Sequence, residues 1–234
     1  SKNTAKEGMV LLKNNDSVLP FGKGIKLALF GMGTFDYVKG GGGSGDVTVE
    51  YTVNLYEGFK KLHNYVEVCE ELADFYRNYI QGISDTHYWP GQKPEPELPE
   101  VLCSQVRACT DTAVISISRF SGEGWDRDLK GHPMYEEGDF YLSYAEKAMV
   151  EKVKEYFPKI VVVLNVGGMV DTEWFCNEDR IQSVLLAWQG GMEGGTAAAE
   201  LLCGIGTPSG KLSDTFAKSL DDYPSTANFH ESDE

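Results

Sequence analysis

One carboxylate in this chain sits where the backbone must form a loop: Glu123, in the stretch S-R-F-S-G-E-G-W-D-R from Ser118 to Arg127. The apolar run Ala113 to Ile117 leads into it, and a glycine stands on each side. Those glycines open backbone angles closed to other residues and let a ligand or a second domain come close to the peptide plane. Taken by itself, the stretch reads more readily as a solvated turn than as a site. Asp126 is the rival carboxylate, and the Arg127 that follows it suggests an ion-paired, loop-fixing role. Ser44 and Ser121 are nucleophile candidates only in the loosest sense, because G-x-S-x-G does not occur and no histidine is positioned by a motif. Ser44, within G-G-S-G-D, reads better as a hydrogen-bonding loop residue. Gly31-Met32-Gly33 follows a strand-like run, but a dinucleotide fingerprint needs glycine at position 36. Asp36 stands there with a charge unsuited to phosphate. No C-x-x-C pair exists, and His63, His87, His132 and His230 are far apart, so neither a metal nor a cofactor is indicated.

The surrounding pattern predicts the elements that hold these residues. Thr4 to Glu7 has the form of a capping box, with a helix expected on to Asn14-Asn15. Strand-like runs cover Ile25 to Phe30, Tyr65 to Cys69, Thr112 to Ile117, Ile160 to Asn165 and Val184 to Trp188, and Leu212 to Phe216 adds a last edge strand. The β-branched run Ile160 to Asn165 suits a central parallel strand covered on both faces. Helical periodicity marks Tyr51 to His63, Glu70 to Ile80, Val101 to Thr110 and Met192 to Leu202. It also marks a helix opened by a capping box at Ser143 and Glu146 and ended by Pro158. Pro90, Pro94, Pro96 and Pro99 exclude a regular element from 84 to 99, which reads as an extended surface excursion. The alternation predicts an α/β fold, a three-layer αβα sandwich around a doubly wound, mostly parallel sheet of about six strands. A single domain is expected over 1–220, with an acidic tail over 221–234. The loops after the strands, at Gly31 to Gly33, Ser118 to Arg127, Gly167-Gly168 and Gln189 to Gly191, are expected to gather on one edge, where open α/β sheets bind ligands.

The chain has 234 residues, 41% of them hydrophobic, with a net charge of -15. One core of this size needs no staples, and the acidic surface disfavours nucleic acid and anionic membranes as partners. No run approaches the roughly 18 to 20 apolar residues that span a bilayer, and nothing at the amino end resembles a signal peptide. The five cysteines, Cys69, Cys103, Cys109, Cys176 and Cys203, are scattered and mostly in apolar surroundings. They read as free thiols in a reducing compartment, which places the expectation in the cytoplasm.

Several blocks together carry a family resemblance. They are A-K-E-G-M-V-L-L-K-N at 5–14, K-G-G-G-G-S-G-D at 39–46, V-I-S-I-S-R-F-S-G-E-G-W-D-R at 114–127, V-V-V-L-N-V-G-G at 161–168, L-L-A-W-Q-G-G-M-E-G-G at 185–195 and P-S-G-K-L-S-D-T-F at 208–216. In this order they resemble the carboxyl-terminal α/β sandwich domain of glycoside hydrolase family 3, of the β-glucosidase type. The resemblance implies a retaining, exo-acting β-glycosidase whose carbohydrate substrate lies between this domain and a (β/α)8 barrel of the same polypeptide. The barrel's catalytic aspartate usually stands in S-D-W, which this chain lacks. By the same resemblance Glu123 is the general acid/base and Ser44 a substrate contact. Trp125, Trp174 and Trp188 could each stack on a sugar ring, although tryptophan at a strand end more often belongs to the core rim. Glu123 is expected to be near-normal and ionised in this domain alone, with Arg119 and Arg127 holding its proton affinity down. A barrel carboxylate docked opposite would raise it. The chain by itself is expected to be a half-site without turnover. The alternative is a flavodoxin-like small-molecule binding module without hydrolytic activity.

Overall fold

A computed structural model describes residues 1–83, 88, 91–127 and 134–228. At its centre is a six-stranded sheet in the order β1-β6-β5-β4-β2-β3. Its strands are β1 (Val10–Asn14), β2 (Ile25–Phe30), β3 (Val66–Val68), β4 (Thr112–Ser118), β5 (Lys159–Asn165) and β6 (Ile181–Leu186). All neighbours are parallel except β1, which runs antiparallel along β6. From β2 the order runs outward through β3, and from β4 it runs outward the other way through β5 and β6. The sheet is therefore doubly wound, with its switch between β2 and β4.

Each central strand feeds two cores. Ile160, Val162 and Leu164 of β5 join a cluster with Tyr76, Val106, Val153 and Phe175. Val161 and Val163 join another, with Leu55, Phe59, Ala198 and Leu201. Burial on both faces is why the strand reads as a continuous β-branched run. The first layer consists chiefly of α3 (Glu70–Gly82), α4 (Glu100–Cys109), α5 (Tyr144–Tyr156) and the short α6 (Glu173–Cys176). The second consists of α2 (Leu55–Lys61) and α7 (Gly194–Leu202), with α1 (Lys2–Gly8) laid on α7. α1 buries no residue of its own. It is held by Lys2 and Lys6, whose ammonium groups both reach the buried Glu200 of α7, Lys6 at 2.7 Å. Burial alone would raise the Glu200 carboxyl's pKa, but those two cations bring it below the ordinary value. The capping box expected at α5 is present: Ser143 Oγ accepts from the Glu146 amide, and Glu146 Oε2 accepts from the Ser143 amide.

Some expectations need correction. The first helix begins at Lys2 and ends at Gly8, with no capping bond from Thr4, and Val10–Asn14 is a strand. Pairing with β6 decides this, since Val10 faces Leu186 and Asn14 faces Ser183 across the ladder. Leu212 to Phe216 forms no strand. That side of the sheet is already closed by β1, and Leu212 and Phe216 instead border a cleft with Leu12 and Phe175. The described part of the proline-rich segment is irregular, as expected, yet it is not a surface excursion, because Glu95, Pro96 and Leu98 are buried. Residues 84–87 and 89–90 of that segment, and 229–234 of the tail, lie outside the described residues.

Candidate active site

β4 delivers the Glu123 loop to the carboxyl-terminal edge of the sheet, and a second loop meets it there. Gly42 and Gly122 form a parallel bridge, with the Gly42 amide donating to Ser121 O at 3.2 Å and the Glu123 amide donating to Gly42 O at 3.3 Å. The Gly122 and Trp125 backbones close a tight turn on each other, at 2.8 and 2.9 Å. This turn carries Glu123 at its tip, exposed to solvent. Its Oε2 accepts a hydrogen bond from the Ser44 amide at 2.8 Å. The contact needs glycine at position 43, where φ is +78° and an added Cβ would lie 2.3 Å from the Glu123 Cβ. An ion pair between Lys39 and Asp46 spans the ends of the 39–46 loop.

The two sequence-predicted residues, Glu123 and Ser44, are thus in direct contact. The Ser44 hydroxyl and amide hold the Glu123 carboxyl below the usual carboxylate range, rather than near it. The arginines are not the cause, contrary to expectation. Arg119 is only 2% exposed and forks onto Glu146 Oε1 and Oε2, both at 2.8 Å. It also donates to the carbonyls of Ser118, Asp139 and Tyr141 and lies over the Tyr135 ring at 4.6 Å. Burial opposes its charge, but the Glu146 carboxylate outweighs that and keeps it protonated. Arg127 donates to Asp139 Oδ2 at 2.7 Å and to Met169 O at 3.2 Å. It pairs with Asp139, not with its neighbour Asp126. Both guanidinium groups brace the loop from behind.

The other glycine-bearing loops do gather at this edge. The Gly191 amide donates to Lys39 O, and Gly168 lies beside the Arg127 guanidinium. Gly31-Met32-Gly33 opens a 3-10 turn and not a helix, so it offers no helix N-terminus to a phosphate. Of the tryptophans, Trp174 and Trp188 belong to the core rim, and Trp125 lies beside the Glu123 turn, 39% exposed. Glu146, Asp139 and Asn165 were not anticipated as parts of this edge. Asn165 falls within V-V-V-L-N-V-G-G, but no spacing rule marks a strand-end amide as a bridge between loops.

An exposed carboxylate on a braced, glycine-backed turn is fitted to exchange a proton with something brought from outside the domain. The family model of the Glycosyl hydrolase family 3 C-terminal domain matches residues 9–234. The chain belongs to this family. Beta-glucosidase A of Butyrivibrio fibrisolvens is 53% identical over 97% of the chain, and the match covers 29% of that protein. The β-glucosidase structure from Paenibacillus barengoltzii superposes with a TM-score of 0.87 at 35% identity, covering 98% of this chain and 25% of that one. β-Glucosidase 3B from Thermotoga neapolitana, solved in complex with glucose, gives 0.81 at 37% identity, covering 96% and 31%. This family 3 C-terminal domain therefore spans less than a third of the length of each of these relatives. Membership does not favour the flavodoxin-like alternative.

Proposed function

We propose that this domain supplies the general acid/base, Glu123, to a retaining, exo-acting β-glycosidase of the β-glucosidase type acting on terminal β-linked sugars. The attacking carboxylate belongs in this reading to a (β/α)8 barrel of the same, longer polypeptide. The observation that carries it is the placement of Glu123 in a family 3 C-terminal domain. It is solvent-exposed at the ligand-binding edge of the sheet, on a turn fixed by the 39–46 loop. Retaining hydrolysis uses two carboxyl groups about 5 to 5.5 Å apart, one attacking the anomeric carbon and one protonating the leaving oxygen. Glu123 then takes a proton from the water that releases the sugar. Ser44 lines the same site, where its hydroxyl can serve both the carboxylate and a sugar hydroxyl.

The experiment compares leaving groups. In the barrel-containing enzyme, Glu123→Gln loses turnover by about a hundredfold or more on alkyl and disaccharide substrates, which need a proton. It loses far less in the glycosylation step with activated aryl glycosides, whose leaving groups depart as anions. Equal losses on both classes would remove the assignment.

A further inference from the structure

Asn165 ends β5 directly beside Ser118, the last residue of β4, and is 1% exposed. Its side-chain amide is fully engaged, which is what a buried amide requires. Oδ1 accepts from the Val38 amide at 2.8 Å, and Nδ2 donates to Val38 O at 2.9 Å, so the side chain pairs with Val38 as another strand would. Nδ2 also donates to Trp188 O at 2.8 Å. Oδ1 receives a longer bond from Ser118 Oγ at 3.4 Å, and Asn165 O accepts from the Arg119 amide at 3.1 Å. Val38 is wholly buried and directly precedes the 39–46 loop. Trp188 sits at φ +52°, a left-handed conformation that costs a non-glycine residue energy and persists only when its surroundings hold it. One residue therefore ties together the stem of the Ser44 loop, the start of the Glu123 loop and the turn after β6.

We propose that Asn165 is the positioning residue of this site: its amide fixes the 39–46 loop against the ends of β4 and β6, and so sets where Ser44 offers its N–H to the Glu123 carboxylate. For catalysis the proposal rests on the reading of Glu123 as acid/base; for geometry it does not. No other residue at this edge bonds to both Val38 and Trp188 among the described residues.

The test is a carbon-detected NMR titration of the Glu123 carboxyl in this chain, with the Ser44 amide followed alongside. Asn165→Ala and Asn165→Ser are compared with the unsubstituted chain and with Val150→Ala, which opens a core cavity under α5 without touching the loops. Loss of the amide bridge shifts the Glu123 midpoint upward toward the ordinary glutamate value and uncouples the Ser44 amide from it. Val150→Ala leaves both unchanged. If Asn165→Ala does not fold, Asn165→Ser, which keeps a hydroxyl for one of the bonds, carries the measurement. An unshifted Glu123 midpoint in the Asn165 variants overturns the proposal, as does an equal shift in Val150→Ala, which would mean general loosening. None of these readouts needs turnover, so the leaving-group experiment on Glu123→Gln can fail while this one succeeds, and the reverse.

Discussion

Arg119 shows what a single residue of the motif is worth. The sequence places it near Glu123, and proximity suggests an electrostatic role, but the fold turns its side chain inward to Glu146 and to the carbonyls of Asp139 and Tyr141. Those partners come from Asp139, Tyr141 and the first turn of α5, which no local pattern connects to Arg119. The exposure of Glu123 was legible for the opposite reason: glycine on both sides announces a loop, although those glycines alone read as a solvated turn and only the family resemblance suggested a catalytic role. Breaking a buried pair by removing one member costs more than the pair contributes, because the other charge stays behind without compensation. Arg119→Met should therefore lower unfolding stability by about 3–5 kcal/mol. Arg119→Lys should restore less than half of that, since an ammonium cannot reproduce the planar fork on Glu146. Urea unfolding measures both; a loss under about 1 kcal/mol for the methionine variant would contradict this account.

At the scale of elements, periodicity located α2, α3, α4, α5 and α7, and short apolar runs located β2 to β5; β6, predicted at Val184 to Trp188, spans Ile181–Leu186, because the chain turns away at Trp188. The pattern failed at β1, where V-L-L-K-N suits either period and the free edge of β6 decides. It failed again at the proline-rich segment, whose prolines exclude helix and strand but say nothing about burial. That segment carries Glu95 into the first layer, where Oε1 accepts from Tyr76 Oη at 2.5 Å and Oε2 from the Met32 amide at 2.8 Å. The Gly31 amide donates in turn to Tyr76 Oη at 3.0 Å, so the segment is stitched to the end of β2. Burial pushes the Glu95 carboxyl up to about 8 against these bonds, with the Glu146 charge adding to the rise. The sign follows from proton counting. Between the ordinary glutamate value and about 8 the folded state holds a proton that the unfolded state has lost, so raising the pH through that window destabilises the fold. The slope approaches about 1.4 kcal/mol per pH unit from this group alone. Glu95→Gln removes that slope and leaves the other titrations in place. The stability difference between variant and parent, measured by urea midpoints at pH 5.5 and 8, should move in favour of the variant as pH rises. Parallel profiles would show that Glu95 ionises in the fold as it does in the unfolded chain.

For the whole molecule the question is what this domain can do unaided. Its sheet ends at one side in the antiparallel β1, five residues long, and at the other in β3, only three residues long, so the β3 edge offers little strand for further pairing. Both faces are covered, and two hydrophobic clusters run the length of the central strands. Because both clusters are built on the same strands, β2, β4, β5 and β6, neither can be lost without the other, and the chain is expected to unfold in urea as one cooperative transition. Chemistry is a different matter. Glu123 is held as a carboxylate by Ser44, and a carboxylate has no proton to give a leaving oxygen. Even protonated, it would lack the second carboxyl group that retaining hydrolysis requires at about 5 to 5.5 Å. The folded chain should therefore release no aryl alcohol from an activated aryl β-glucoside above the uncatalysed background. The assay needs a matched Glu123→Gln preparation, because a trace of contaminating glycosidase would give the same rate in both. A rate present in the parent and absent from the variant would mean that the domain holds a complete catalytic pair. The search for the attacking group would then turn to its own carboxylates, beginning with Asp126.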